Sequence, residues 1–128
     1  MATMHVELVS IEAPIWSGEA TAIYARTVEG QIGILPGHTP LLGALQPGYP
    51  VRIDADGGQP ITVAVHGGFL SVRKDGVSVL AEQAEMAGDI DIPRAREAFN
   101  RSSADGGPEE QAARARAEAR LRAAGEQV

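Results

Sequence analysis

At 128 residues the chain is long enough for one ordinary domain, or for a domain of roughly 90 residues with a small appendage. Its formal net charge of −6 argues against a general nucleic-acid binder, and its lack of cysteine excludes disulfides and thiolate metal sites. Aromatic residues are only 4% of the chain, so we expect a core built from valine, isoleucine, leucine and alanine.

The N-terminal segment MATMHVELVS lacks the basic head and long apolar run of a signal peptide. No window approaches the ~20 consecutive apolar residues that a membrane-spanning helix needs. We therefore expect a soluble chain that reaches membranes only through partners.

Short β-type segments fill the first 91 residues. They read HVELV, TAIYART, VRIDA, ITVAVH, FLSVR and VSVLAE, and several alternate polar and apolar residues as half-buried strands do. Turn signals separate them, and Asp75-Gly76 is a strong hairpin signal. Many short strands with frequent turns predict a β-sandwich or flattened barrel.

The stretch GQIGILPGHTPLL, residues 30–42, combines turn-forming and apolar residues. Pro36 and Pro40 donate no ladder hydrogen bond, so the stretch is not a central strand. Its five large aliphatic residues are more than a solvated loop needs. We expect a tight excursion whose aliphatic side chains are buried or meet a partner, and we interpret Leu41 and Leu42 as buried.

The chain changes character near residue 91. Residues 1–91 hold 4 Lys and Arg against 11 Asp and Glu, whereas residues 92–128 hold 7 against 6. The second part is rich in Ala, Arg, Leu and Glu, which favour helices. Asp91 and Pro93 can open a first helix that SSADGG ends, and Pro108 and Gly125 can bound a second. An antiparallel two-helix hairpin follows.

This hairpin is expected to open easily, because its seam is mostly alanine. The stripes are Ile92, Ala95 and Phe99 on the first helix and Ala113, Ala117, Leu121 and Ala124 on the second. At about 25 cal/mol per Å² of buried apolar area, two such helices gain only a few kcal/mol from meeting.

No residue pattern supports a catalytic or metal site. His5, His38 and His66 lie in separate segments without helical pairing, and no serine has a G-x-S-x-G setting. The glycines at 30, 33 and 37 match no phosphate-binding loop.

The arginines of the tail are the one polar group of interest. Arg94 shares a helix face with Arg101, as Arg116 does with Arg120. In a folded hairpin these faces could converge on a polyphosphate, which suits arginine. The alternative is a solvated helix face interleaved with glutamates, and the pattern by itself favours that alternative.

Several motifs together identify a family. GQIGILPGHTPLLGAL followed by Pro47-Gly48, then VHGGFLSV and VSVLAEQAE, resembles the epsilon subunit of bacterial F-type ATP synthases over the whole chain. The resemblance implies an α+β fold. It consists of a ten-stranded β-sandwich or flattened barrel over residues 1–88 and an antiparallel two-helix hairpin over residues 89–128, which is regulatory.

The resemblance also implies partners. The sandwich would dock on the gamma subunit and on the membrane ring of c subunits through a loop shaped by Gln31, Gly33, Pro36 and His38. Many relatives carry Glu where this chain has Gln31, whose amide offers no charge for a contact to the ring. The subunit would sit peripherally at the cytoplasmic face of the bacterial cell membrane, meeting the membrane only through the complex and binding no nucleic acid.

A regulatory ATP site is implied by the family pattern I-D-x-x-R-A and its neighbours. The matching residues are Glu85, Ile90, Asp91, Arg94, Ala95, Arg101, Arg116 and Arg120. Pro93 inside the pattern and the shortened SSADGG link depart from the family. No cofactor or metal is required, since the catalytic sites of the family belong to the alpha and beta subunits.

The function that the resemblance implies is that of a non-catalytic rotor subunit. It would couple c-ring rotation to ATP synthesis and restrain ATP hydrolysis when its helices reach the alpha and beta subunits. The alternative is a free-standing β-sandwich binding module with a helical dimerisation hairpin. An enzyme acting alone lacks a matching set of residues.

Overall fold

Seven β-strands precede two α-helices in the computed structural model, which describes residues 2–128. The strands are β1 (Met4–Ser10), β2 (Pro14–Thr27), β3 (Gly30–Ile34), β4 (Leu41–Ala44), β5 (Pro50–Ala55), β6 (Ile61–Arg73) and β7 (Gly76–Met86). A short 3₁₀ turn, Ala87–Asp89, leads to the helices α1 (Ile92–Arg101) and α2 (Pro108–Ala123). Within residues 2–128, neither α-helix is long and apolar enough to cross a membrane.

The strands form one sheet that closes on itself. Its order is β1-β7-β6-β5-β2-β3, with β4 paired to β6 and β1 also paired to β2. Strands β1 and β7 run parallel, and the other pairs are antiparallel. The predicted fold class, a flattened β-barrel or sandwich followed by a helical hairpin, is confirmed.

The number of strands differs from the ten expected, because three long strands each run through both halves of the barrel. In β6 the first half pairs with β5 and the second half with β4. Gly67 lies at its middle with φ +66°, yet the register continues from His66 to Gly68 opposite β7. At Gly68 a Cβ would lie 2.3 Å from the carbonyl oxygen of Leu80, so only glycine fits this close crossing.

The main core lies entirely within the barrel. Its buried cluster consists of Val6, Leu8, Ala20, Ile23, Ala25, Ile34, Val51, Ile53, Val63, Val65, Leu70, Val72, Val77, Val79 and Ala81. None of these residues comes from the tail. We therefore retain the prediction that residues 1–88 form a domain that folds by itself.

The helix ends follow the local signals. Asp91 caps α1, its Oδ1 accepting a hydrogen bond of 3.1 Å from the backbone N–H of Arg94. Gly125, at φ +82°, ends α2. The N–H of Gly125 donates to the carbonyl oxygen of Arg122, and the N–H of Glu126 donates to the carbonyl oxygen of Leu121. These two bonds form a Schellman motif, which satisfies carbonyls that the helix end leaves free.

Helix α2 buries two faces rather than one. Ala117 and Leu121 are buried as a helix–helix seam requires, although Ile92 on α1 stays partly exposed. The other face of α2 places Ala119 and Ala123 against Ala64 of β6. The alanine stripe alone did not predict this second contact, which docks the hairpin on the sheet.

The interpretation of Leu42 as buried is wrong, whereas Leu41 packs partly against the core. The two residues are neighbours in β4, and successive side chains of a strand point to opposite faces. Leu42 is 72% exposed. Leu35 is exposed as well, while Ile34 is fully buried, so the apolar run divides between core and surface.

We expect Leu41→Asp to destabilise the chain by about 3 kcal/mol and Leu42→Asp to change stability by less than about 0.5 kcal/mol. An unpaired carboxylate beside the core loses its hydration, whereas one on the outer face keeps it. Urea titration of both variants measures the difference. Equal destabilisation would contradict the assignment of the two side chains to opposite faces.

Candidate functional site

The residues of the expected docking loop lie in two places. Gln31 and Gly33 are on the exposed side of β3, opposite Arg26 and Tyr24 of β2. Pro36 and His38 are in the connection to β4, where Nδ1 of His38 lies 2.6 Å from the carbonyl oxygen of Thr39 and donates to it. The structure thus divides the predicted loop between the outer face of a strand and a turn beyond it.

Exposed apolar side chains share one outer face of the barrel, which we call the apolar patch: Ile11, Leu42, Phe69 and Leu80. Phe69 and Leu80 are direct cross-strand partners on β6 and β7, and Leu42 lies on the same face of the paired β4. Ile11 lines the same cleft as Phe69 and Leu80. A cluster of exposed large apolar side chains on one face is a candidate protein interface.

Two residues of the expected regulatory site, Glu85 and Arg120, are in direct contact. Glu85 on β7 accepts a hydrogen bond of 2.6 Å from Nε of Arg120 on α2. The same carboxylate oxygen lies 3.0 Å from Nε2 of His66 on β6. We call this chain of three side chains the Glu85 link, since it ties two strands to the tail.

Opposing effects set the charges in the Glu85 link. Burial lowers the pKa of His66 and outweighs the hydrogen bond to Glu85, so the imidazole is neutral at pH 7 and its Nε2–H donates to the carboxylate. Burial by itself would raise the pKa of Glu85, but the hydrogen bonds from Arg120 and His66 outweigh it and lower that pKa. Glu85 is therefore ionised, and Arg120 faces a full negative charge.

The remaining residues of the expected site are spread along the tail. Ile90 packs against the small cluster of Ala64, Ala119 and Ala123, and Asp91 caps α1. Ala95 is buried. Arg94 and Arg101 are exposed, and Arg101 lies 3.9 Å from Glu97 on its own helix. The solvated-face alternative therefore fits Arg94 and Arg101, but it does not fit Arg120.

Arg116 lines a cleft of about 620 Å³ between α2 and the barrel, whose walls include Tyr49, His66 and Gln111. Across residues 2–128 its guanidinium makes no hydrogen bond or ion pair. Of the four α2 arginines, it is the one positioned to receive an anion without first releasing a partner.

Sequence reasoning missed the partners of Arg114 and Arg122. Arg122 donates to the carbonyl of Gly48, lies 3.1 Å from Glu118, and stacks 4.2 Å from the ring of Tyr49. Arg114 reaches back to α1: it donates to the carbonyl of Ser102 at 3.0 Å and stacks 4.1 Å from the ring of Phe99. Helical i,i+4 spacing marks the Arg122–Glu118 pair, but no spacing signal marks the contacts to Gly48, Tyr49, Ser102 and Phe99, because they join different segments of the chain.

Glu85→Gln is expected to weaken the docking of α2 by about 1 kcal/mol, or roughly fivefold, because the neutral amide loses the charge-assisted bond to Arg120 while the pair is partly solvated. Amide hydrogen exchange in α2 reports the change, and Glu82→Gln on the exposed part of β7 is the matched control. Unchanged α2 protection in Glu85→Gln would show that the link does not hold the helix.

Acidification is expected to lower the free energy of unfolding in two steps. The folded-state pKa of His66 lies below its ordinary 6.5, so its contribution is present above pH 6.5 and is lost as the pH falls through the lowered value. The folded-state pKa of Glu85 lies below its ordinary 4.5, so its contribution is lost as the pH falls through that lowered pKa. Thermal unfolding across pH should show both steps, with the second flattened in Glu85→Gln.

Comparisons with known proteins agree over most of the chain. The family model described as the ATP synthase Delta/Epsilon chain, beta-sandwich domain, matches residues 3–87. The chain is similar to the ATP synthase epsilon chain of Streptomyces griseus, with 49% identity over 122 residues, 95% of each chain. It is also similar to that of Nocardia farcinica, with 52% identity over 101 residues, 79% of this chain and 78% of the relative.

Solved structures share the fold. A chain in the cryo-EM structure of the Euglena gracilis mitochondrial ATP synthase, OSCP/F1/c-ring, has a TM-score of 0.74 and 24% identity, covering 97% of this chain and 82% of that one. A chain in the Tetrahymena thermophila mitochondrial ATP synthase, central stalk and c-ring, has a TM-score of 0.64 and 17% identity, covering 97% and 96%. Both matches include the barrel and the helices.

Proposed function

Because the chain belongs to the family of ATP synthase delta/epsilon chains, we propose that it couples rotation of the c ring, together with gamma, to ATP synthesis in the catalytic head. It is a non-catalytic subunit of the central stalk of an F-type ATP synthase. The observation that carries this function is the extent of the similarity. The 49% identity to the Streptomyces griseus epsilon chain covers 95% of both chains, barrel and tail alike.

The apolar patch is the surface that we assign to gamma. Leu42, Phe69 and Leu80 are all exposed on one outer face, although a soluble barrel has no internal use for them there. An apolar contact suits a subunit that must rotate as one body with its neighbour, because permanent interfaces are more hydrophobic than transient ones.

The turn that holds Pro36 and His38, and the exposed side of β3 with Gln31 and Gly33, are the regions that we assign to the c ring. The contact at Gln31 is a neutral hydrogen bond rather than an ion pair, because its side chain is an amide.

The tail is the proposed brake on ATP hydrolysis, acting on the alpha and beta subunits. In the folded hairpin, Arg114, Arg120 and Arg122 already bind acceptors of this chain. The brake therefore requires the hairpin to leave the barrel, so that these cations exchange internal acceptors for acidic groups of the head.

ATP is the proposed regulatory ligand of the folded hairpin. Arg116 is open to a phosphate in its cleft, whereas Arg120 would first have to release Glu85. Binding to the folded form would favour it over the open form by mass action, and so release the brake. We also propose that the subunit lies at the cytoplasmic face of the cell membrane, held there by the rest of the complex.

Affinity purification of the tagged chain from detergent-solubilised membranes of its own cells tests the function. We expect it to retain gamma and c subunits in fixed proportion. Recovery of a homodimer without synthase subunits would instead support the free-standing binding module.

A further inference from the structure

A second outer face of the barrel carries a concentration of positive charge and tyrosine. One shallow groove of about 480 Å³ is lined by Tyr24 and Arg26 of β2, by Tyr49 and by Arg52. We call this surface the tyrosine–arginine face. Residues 1–91 contain only four Lys and Arg against 11 Asp and Glu, yet two of the four are here. Among the described residues that line the groove, none is acidic.

Both guanidinium groups are held by aromatic rings. Arg26 lies 4.7 Å from the centre of the Tyr49 ring, and Arg52 lies 5.7 Å from that of Tyr24. Cation–π contacts of this kind fix the side chains in place, so less rotamer freedom is lost when a ligand binds.

The two arginines keep unused hydrogen-bond donors. Within residues 2–128, Arg26 contacts no carboxylate, and Arg52 uses only its Nε, which lies 2.8 Å from Asp54. The other residues that line the groove carry no charge. Gln31 sits opposite Arg26, and at Gly33 a Cβ would press against the Tyr24 ring at 3.3 Å.

We propose that the tyrosine–arginine face docks an acidic segment of a partner subunit, whose carboxylates pair with Arg26 and Arg52 while its apolar atoms lie on Tyr24. A guanidinium group held in place can donate two parallel hydrogen bonds to the two oxygens of a carboxylate. A protein segment fits better than a free polyanion, because tyrosine and arginine are the residues that dominate protein interfaces.

This inference rests on the proposed function, since the partner belongs to the same complex, but it concerns a face separate from the apolar patch. The apolar patch lies on β4, β6 and β7, whereas the groove lies on β2, β3 and the segment around β5. The groove includes Gln31 and Gly33, which the proposed function assigns to the c ring, so the cationic surface extends that region and differs in chemistry from the apolar patch.

Photocrosslinking in the purified, assembled synthase tests the proposal. p-Benzoylphenylalanine replaces Tyr24 in one variant and Phe69 in a second, and mass spectrometry identifies the captured peptide. From position 24 we expect a single partner segment that contains Asp or Glu. The double variant Arg26→Glu with Arg52→Glu should reduce this crosslink at least about tenfold, since like charges then oppose each other. Reversing an acidic residue of the captured segment to Arg should restore it.

The control is Arg73→Glu with Lys74→Glu, the two remaining basic residues of the barrel, which should leave the crosslink unchanged. Thermal unfolding of each variant establishes that it is folded. Capture from position 69 without capture from position 24 overturns this inference and leaves the proposed function standing. So does capture from position 24 of lipid, of a nucleotide, or of a segment without carboxylates. Absence of the chain from the complex overturns both.

Discussion

Removal of residues 92–128 is expected to raise ATP hydrolysis by the assembled complex several-fold. Seven of the 11 basic residues lie in this segment, and they are the groups proposed to reach acidic surfaces of the catalytic head. The barrel should remain folded, because its core cluster contains no tail residue. Hydrolysis is measured in inverted membrane vesicles at matched amounts of assembled enzyme, with the full chain as reference.

The arginine variant separates charge from the presence of the helices. A variant in which all four arginines of α2 are changed to Ala should show part of the same increase in ATP hydrolysis, because alanine keeps helix propensity and removes the cations. The four are Arg114, Arg116, Arg120 and Arg122. Equal hydrolysis by the full, shortened and arginine-free forms would mean that the tail is not a brake. A non-cooperative thermal transition of the shortened chain would show that the barrel needs the tail.

Ala119→Glu is expected to have the opposite effect on hydrolysis and to lower it. Ala119 is fully buried against Ala64 of β6, and a carboxylate there would lie without a partner in an apolar contact. Such burial costs about 3 kcal/mol. The equilibrium between the docked and undocked hairpin therefore shifts roughly a hundredfold toward the undocked form. The freed helix keeps all its arginines, so the braking form becomes more populated.

Asn100→Glu, on the exposed side of α1, is the matched control and should leave hydrolysis unchanged. Hydrogen exchange in α2 of the isolated chain reports undocking independently of the complex. If Ala119→Glu undocks α2 and hydrolysis stays at the reference rate, opening of the hairpin is not what engages the brake. The shortened chain, which lacks the tail, and Ala119→Glu, which releases it from the barrel, are thus expected to change ATP hydrolysis in opposite directions.

Local signals were sufficient for the parts of the structure that depend on neighbours in the chain. Asp91 caps α1 because a carboxylate can reach the N–H three residues ahead, and Gly125 ends α2 because it adopts a positive φ. Asp75 and Gly76 lie where β6 turns into β7, as their turn chemistry predicts.

Burial in the loop region needed the strand register. Ile34 and Leu42 belong to the same apolar stretch, and nothing in their chemistry separates them. Side chains alternate between the two faces of a strand, and the pairing of each strand decides which face is inside the barrel. Ile34 of β3 points to the core, whereas Leu42 of β4 points outward. Likewise, β6 counts as one strand rather than two because Gly67 and Gly68 let it cross between the halves without a break in register.

By itself, the sequence determined the β-rich first part, the helical tail with its ends, and through its motifs the family. Those features depend on periodicity, capping and turn residues, which act over a few positions. Tertiary structure alone decided that Arg120 meets Glu85, that Arg122 meets Tyr49, and that Arg26 and Arg52 share a groove. The first two contacts join residues more than thirty positions apart, and the groove joins different strands. Hydrogen-bond and charge partners at that separation are set by how the strands and helices pack, which no local pattern encodes.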